Sequence, residues 1–363
     1  MTELRAQRAA EVVGPASPRS SDLLEAARAG RTEAFEALSE PHRHELLVHC
    51  YRILGSLTEA EDMVQESFLR AWKRLSAFEG RSTFRAWLYK IATNACLDVL
   101  DKRDTRRVLP EAAFPEADPL QPVSAPLPDI PWLEPFPDEL LGDQAAENPE
   151  ARYSAHESIS LAFLAALQGL PARQRAVLIL SDVLDWSARE TAQLLGVSAS
   201  AVASALHRAR LKMARTYHGL AAQDRGSLQT DARTRDLLNQ YMLAWEQADV
   251  DGLVRLLRDD AVLSMPPSPT WYRGRSAIGI FAATTVLAEA GPFRGQAAGR
   301  WRLLPTRANG QPAAAVYIRG EGAEWLPFGI HVLEAEGSGL RRVTCFITPD
   351  LVRRFGLPAK LSG

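Results

Sequence analysis

Trp186-Ser187-Ala188-Arg189-Glu190-Thr191-Ala192-Gln193-Leu194-Leu195-Gly196-Val197-Ser198-Ala199-Ser200-Ala201-Val202-Ala203-Ser204-Ala205-Leu206-His207-Arg208-Ala209-Arg210 is the most informative stretch of this 363-residue chain. Ser187 and Glu190 have the spacing of a capping box, which starts a helix. Gly196 ends that helix, and Ser198 caps the next. Ala192 is small where the two helices must cross. Val202, Leu206, Ala209 and Met213 recur at helical spacing and predict a buried stripe. Ser200, Ser204, His207 and Arg208 fall on the other side, with Arg210 and Lys212 further along. The pattern is a helix-turn-helix whose second helix suits a major groove: short donors for base edges, cations for phosphates. Ser198 also offers a helix start to a phosphate. A helical hairpin with no DNA role is the alternative. The two caps, the glycine turn and eight Lys/Arg against four Asp/Glu over residues 151–217 favour DNA.

Upstream lies a segment of opposite character. Residues 108–150 hold ten of the 23 prolines, ten Asp/Glu and no Lys or Arg. Such a segment resists helices and central strands and repels itself, so it predicts an acidic linker. Yet Trp132, Leu133, Phe136 and Leu140 sit in it, and a pure spacer has no use for them. They are candidates for docking on a folded surface.

Before the linker, residues 21–107 read as helical, behind a flexible stretch at 1–20. Thr58 to Glu61 reads as a capping box. Val64, Phe68, Ala71, Trp72 and Leu75 then form one stripe. A second helix starts near Thr83 with Phe84, Trp87, Leu88, Ile91 and Ala95 on its apolar side. His42, His44, His49 and Cys50 cluster nearby, but their spacing does not suit a metal site, so no metal is expected. After the helix-turn-helix and a short linker at 218–230, residues 231–358 change to α+β. Two helices, at about 231–247 and 251–258, precede β-rich runs at Ala261–Met265, Trp301–Thr306, Ala313–Arg319, Phe328–Ala335 and Leu340–Thr348. A helix fits at about 276–288, and Asn309-Gly310 reads as a hairpin turn. An antiparallel sheet is expected.

Composition narrows the function classes. No run of 18 apolar residues argues for a membrane span, and the N-terminus lacks the apolar region of a secretory signal. Three separated cysteines exclude a disulfide framework. A cytoplasmic protein without membrane contact and without a cofactor is expected.

Residues 30–107 and 151–217 together resemble the extracytoplasmic-function sigma factors of bacterial RNA polymerase. The first segment, with Asp62-Met63-Val64-Gln65-Glu66-Ser67-Phe68-Leu69-Arg70-Ala71-Trp72 and Phe84-Arg85-Ala86-Trp87-Leu88-Tyr89-Lys90-Ile91-Ala92-Thr93-Asn94, is similar to region 2. The helix-turn-helix is similar to region 4. The resemblance implies core RNA polymerase (β′ clamp and β flap) and promoter DNA as partners. It implies polymerase binding by Asp62, Gln65, Glu66, Leu69, Arg70 and Lys73. It implies capture of a melted −10-type element by Arg81, Ser82, Thr83, Arg85, Lys90, Asn94, Lys102 and Arg103. Phe84 and Trp87 would pack in the core rather than stack on bases. A −35-type element would be read by Ser198, Ser200, Ser204, His207, Arg208, Arg210 and Lys212. Ala203 stands where this family often has Lys or Arg, so direct base contacts are few. The acidic linker would thread the polymerase channel, or lie on the basic DNA-reading faces of the free protein.

The C-terminal segment resembles the SnoaL-like cone, through Tyr241-Met242-Leu243-Ala244-Trp245, Asp260 to Pro267, Trp271 to Gly274 and Phe346 to Leu351. Met265, Trp271, Tyr317 and His331 are candidates to line its pocket and to meet a small-molecule ligand. Asp259 and Asp260 are expected to be exposed, so no inward acid is evident and no enzyme is expected. The domain is expected to contact the sigma regions within the chain and regulate them. Two rivals stand: a SnoaL-type cyclase or isomerase fused to a DNA-binding module, and a helix-turn-helix repressor. Neither needs a polymerase-binding helix.

Overall fold

The computed structural model describes residues 18–102, 106–141, 158–216, 229–289, 292–293, 296–320, 322 and 324–362. The expected flexible stretch 1–20 lies outside these residues up to 17, and the 218–230 linker does so up to 228. Helix α1 (Pro18–Arg28) begins inside the former. Four more helices complete the N-terminal unit: α2 (Thr32–Ser39), α3 (Arg43–Leu54), α4 (Leu57–Lys73) and α5 (Phe84–Lys102). The cap of α4 is Ser56, not Thr58. Ser56 has extended backbone, and its hydroxyl accepts from Glu59 N at 3.1 Å. Thr58 instead sits in the first turn, where its N–H and hydroxyl both donate to Glu134. Ser56→Ala should cost about 1 kcal/mol, a loss of a few degrees in a thermal melt; an unchanged melting point would place the helix start elsewhere.

The helix-turn-helix unit holds α7 (Leu161–Gln168), α8 (Ala172–Leu178), α9 (Ala188–Leu195) and α10 (Ala199–Thr216). The Ser187–Glu190 capping box is formed, and Gly196 ends α9 at φ 67°. Val202 and Ala209 are fully buried, Met213 is buried, and Leu206 is half-buried.

The C-terminal unit has helices α11 (Gln229–Gln247), α12 (Val250–Leu256) and α13 (Arg275–Phe281). Its strands are β1 (Leu257–Ser264), β2 (Trp271–Arg273), β3 (Trp301–Ala308), β4 (Gln311–Arg319), β5 (Glu324–Glu336), β6 (Gly339–Phe346) and β7 (Leu361–Ser362). The sheet runs β2-β1-β6-β5-β4-β3, with β7 on β5. It is mixed rather than antiparallel, because β1 pairs β6 in parallel. The long chain between these two strands is what such a pairing requires.

Both faces of this sheet are covered. On β4, Ala314 and Val316 join the core beneath α11 and α13. Ala313, Ala315 and Tyr317 join the core of the helical units instead, together with Ile330, Val332 and Phe346. Burial on both faces explains why Ala313–Tyr317 reads as a continuous apolar run.

The acidic linker is more structured than its composition predicts. It holds a short helix, α6 (Pro110–Ala113), a bridge from Val108 to Trp132, and another from Pro137 to Ala308. Its charges find partners: Glu111 with Arg342, Glu134 with Arg107, Asp138 with Arg307. Those arginines, and the Arg273 N–H that donates to Glu116, are not among the expected DNA-reading residues.

Candidate functional site: two reading surfaces and the junction that joins them

The α4 side chains expected to meet polymerase form one outward stripe. Asp62, Gln65, Leu69 and Lys73 are exposed, and Leu69 is 55% accessible although apolar. Arg70 is tied down, its guanidinium donating to Glu66 at 2.7 Å and to Asp98 at 2.8 Å.

The −10 candidates divide. Ser82, Lys90 and Lys102 are exposed, Asn94 is half-buried, and Arg103 lies outside the described residues. Arg81 pairs with Glu79, and Thr83 caps α5 by accepting from Ala86 N. Arg85 donates to Glu45 at 2.7 Å and covers the Tyr89 ring. Burial would raise the Glu45 carboxyl, but hydrogen bonds from His42 and Arg85 outweigh it and hold the group below its ordinary range. Phe84 packs edge-on against Phe35 and Phe78, and Trp87 packs against Phe78.

On α10, Ser198, Ser200, Ser204, His207 and Arg208 are exposed along one side. Arg210 and Lys212 are committed within the chain. Arg210 donates twice to Asp182, and Lys212 Nζ donates to the Gly169 carbonyl.

The two helical units touch directly. Tyr89 packs on Trp186 at 5.4 Å, Arg175 donates to the Ile53 carbonyl, and Arg52 donates to Ser158. Gly55, at φ 72°, leaves room here: a Cβ would come within 2.8 Å of Leu133 and 2.9 Å of Gln168.

At the centre of the junction is a residue that sequence reasoning treated only as a turn. Asn309, at the β3–β4 hairpin tip, is completely buried and has φ 57°. Its Nδ2 donates to Tyr51 Oη and to the Ile159 carbonyl, both at 2.8 Å. Its Oδ1 accepts from Phe136 N at 2.9 Å, and its own N–H donates to the Phe136 carbonyl. Tyr51 Oη donates onward to the Glu134 carbonyl. One side chain thus binds α3, the linker and the start of the helix-turn-helix unit. Leu133 and Phe136 are fully buried around it, Trp132 is buried further up the linker, and Leu140 is half-buried.

The C-terminal unit and the linker together line a partly open cavity of about 630 Å³. Met265 and His331 line it; Trp271 and Tyr317 do not. Trp271 Nε1 instead donates to the Phe114 carbonyl of the linker. Tyr317 lies on the opposite face of β4, and its hydroxyl donates to the Pro358 carbonyl. Asp259 and Asp260 are exposed.

Residues 38–106 match the Sigma-70 region 2 family, and residues 160–213 match Sigma-70, region 4. SigG, an ECF RNA polymerase sigma factor of Mycobacterium tuberculosis H37Rv, is 43% identical over 327 residues, which is 90% of this chain and 85% of SigG. The chain belongs to the ECF RNA polymerase sigma factors. SigM of the same organism is 32% identical over 197 residues, covering 54% of this sigma factor and 83% of SigM. The crystal structure of the M. tuberculosis extracytoplasmic function sigma factor SigJ superposes with a TM-score of 0.53 at 23% identity. It covers 91% of this chain and 100% of that one, so the sigma regions and the SnoaL-like C-terminal cone share one architecture. Among the described residues no helix is long and apolar enough to cross a membrane.

Proposed function

We propose that this sigma factor joins core RNA polymerase through the exposed α4 stripe and directs initiation at promoters from the cytoplasm, without a cofactor of its own. Ser82, Lys90, Asn94 and Lys102 face a −10-type element. Ser198, Ser200, Ser204, His207 and Arg208 face a −35-type element, while Arg85, Arg210 and Lys212 serve the fold first. The C-terminal unit is a regulator rather than an enzyme. Its cavity walls carry no carboxylate among the described residues, and buried Glu334 lies away from the cavity, facing Arg341 and Arg342.

The observation that carries the regulatory reading is the Asn309 junction. Elements named −10 and −35 stand about 25 base pairs apart, roughly 85 Å at ~3.4 Å per step. Two touching helical domains of this size span only about 30 Å each. With regions 2 and 4 held together by the hairpin, both elements cannot be read at once. The domain therefore holds the chain in an inactive arrangement, and polymerase must open it.

Asn309→Gly tests this, since glycine keeps the positive φ and removes only the side chain. Three bonds at about 1 kcal/mol each then cease to favour the closed form. Run-off transcription with core polymerase should rise by about 10-fold or more over the parent chain. Transcripts at or below the parent level would overturn the inhibitory role. No core-dependent transcript from either chain would overturn the promoter-reading function. The point variant is preferable to truncation near residue 220, which would strip the cover from Leu133 and Phe136.

A further inference from the structure

The C-terminal cavity has a wall that does not belong to its own domain. Residues 119–126 of the region 2–region 4 linker run across it, with Pro119, Val123 and Pro126 among the lining residues. This strap is fastened by backbone bonds on either side. Ala117 N donates to the Trp271 carbonyl, Ser124 N to Thr270 Oγ1, and Leu127 N to the Pro267 carbonyl. The opposite walls are apolar, from Leu263, Met265, Phe281, Phe328 and Ile347. Among the described residues, none that lines the cavity is charged. The volume falls within the roughly 300–1,000 Å³ of small-molecule sites.

A few polar groups interrupt this lining. Trp245 lines the cavity and is 3% exposed, and its Nε1–H interacts with the neighbouring Tyr241 hydroxyl without completing a hydrogen bond. A buried unmatched donor is costly, and a ligand oxygen would relieve it. His331 bonds Tyr241 Oη through Nδ1 at 2.8 Å, which leaves Nε2 as its remaining polar atom. Burial pushes His331 down to about 3 and the Cys345 thiol up, so both stay uncharged at neutral pH.

We propose that this cavity binds an uncharged, largely apolar molecule carrying an acceptor oxygen, a ketone, ester or lactone, with the linker strap as one of its walls. A charged ligand would lose its hydration and gain no counter-ion. Because the strap is part of the site, ligand affinity and strap docking are linked and each strengthens the other. The inference rests on the cavity alone and stands whether or not the domain inhibits transcription.

The test is direct binding to the full chain, followed by dye fluorescence. Nile red, neutral with a carbonyl oxygen, should bind saturably at one site. The anionic dye anilinonaphthalene sulfonate should bind at least about 10-fold more weakly, a gap of ~1.4 kcal/mol. Thr285→Trp, which fills the cavity, and Val123→Asp, which puts a charge on the strap, should each weaken Nile red by about 10-fold or more. Val123 is on the linker, so the second variant decides if the first is unstable. Trp245→Phe should weaken Nile red but not the hydrocarbon dye diphenylhexatriene. Unsaturable Nile red, equal binding of the anionic dye, or indifference to Val123→Asp would overturn the site. Equal losses of Nile red and diphenylhexatriene in Trp245→Phe would overturn the acceptor-oxygen assignment.

Discussion

Phe136→Ala should lower the first thermal transition of this sigma factor by roughly 10 °C, through a loss of about 3–5 kcal/mol for a buried phenylalanine. Phe136 is fully buried, and its ring sits 4.6 Å from that of Tyr51. It belongs to an apolar core that also holds Leu54 of α3, Ile159 before α7, and Ala308 at the end of β3. Truncation would open a cavity where three units meet, with no single unit able to collapse into it. The backbone bonds to Asn309 would lose the packing that aligns them. Leu120 supplies the control, being on the same linker but 72% exposed; Leu120→Ala should leave the transition within about 1 °C, as surface changes usually do. The linker of Phe136→Ala should also be cut faster by protease, since local opening exposes its backbone. Equal melting of the two variants would show that Phe136 is not an anchor.

This asymmetry between two linker residues explains what the sequence makes legible. An aromatic in an acidic, proline-rich tether stands out against its surroundings, so Phe136 and Trp132 invite attention. The helix-turn-helix is legible for a different reason: caps, glycine and apolar period all act within a few residues. The start of α4 is local too, yet ambiguous. Ser56 and Thr58 each have Glu three residues on, and only Ser56 takes the extended backbone a cap needs.

Non-local features leave less trace. Asn309-Gly310 correctly reads as a turn, because asparagine tolerates the left-handed backbone. Nothing near it shows that its amide will meet Tyr51, 258 residues earlier. Likewise Tyr317 and His331 look equivalent as polar aromatics on strands. Strand parity separates them: Tyr317 faces the sigma core, while His331 lines the cavity. The charged residues of the reading surfaces show a similar limit. Arg85, Arg210 and Lys212 fit a nucleic-acid reading by type, but Glu45, Asp182 and the Gly169 carbonyl already occupy them.

Mild acid should destabilise this protein steeply, because two histidines are buried uncharged. His49 donates or accepts through Nε2 with Thr93 at 2.8 Å, and burial, aided by nearby Arg52, pushes it down to about 3. His331 is pushed to about the same value by burial. In the unfolded chain both would titrate near 6.5. Between those values the unfolded state binds protons that the folded state refuses, so stability falls as pH falls. Well below 6.5 each histidine contributes about 1.4 kcal/mol per pH unit, so the pair removes roughly 3 kcal/mol between pH 6.5 and 5. Glu334 works the other way. Burial raises its carboxyl despite Arg341, so it adds stability as pH falls from its raised folded value towards the ordinary carboxylate value. Glu45 is lowered, and its share is lost mainly below about 4.5, under the window in question. The histidines sit in different units, His49 on α3 and His331 on β5, so both halves should weaken together. Denaturant unfolding at pH 7 and pH 5 checks this. His49→Gln and His331→Gln should each remove about half of the difference, and a parent chain equally stable at both pH values would show that the two rings are not held neutral by burial.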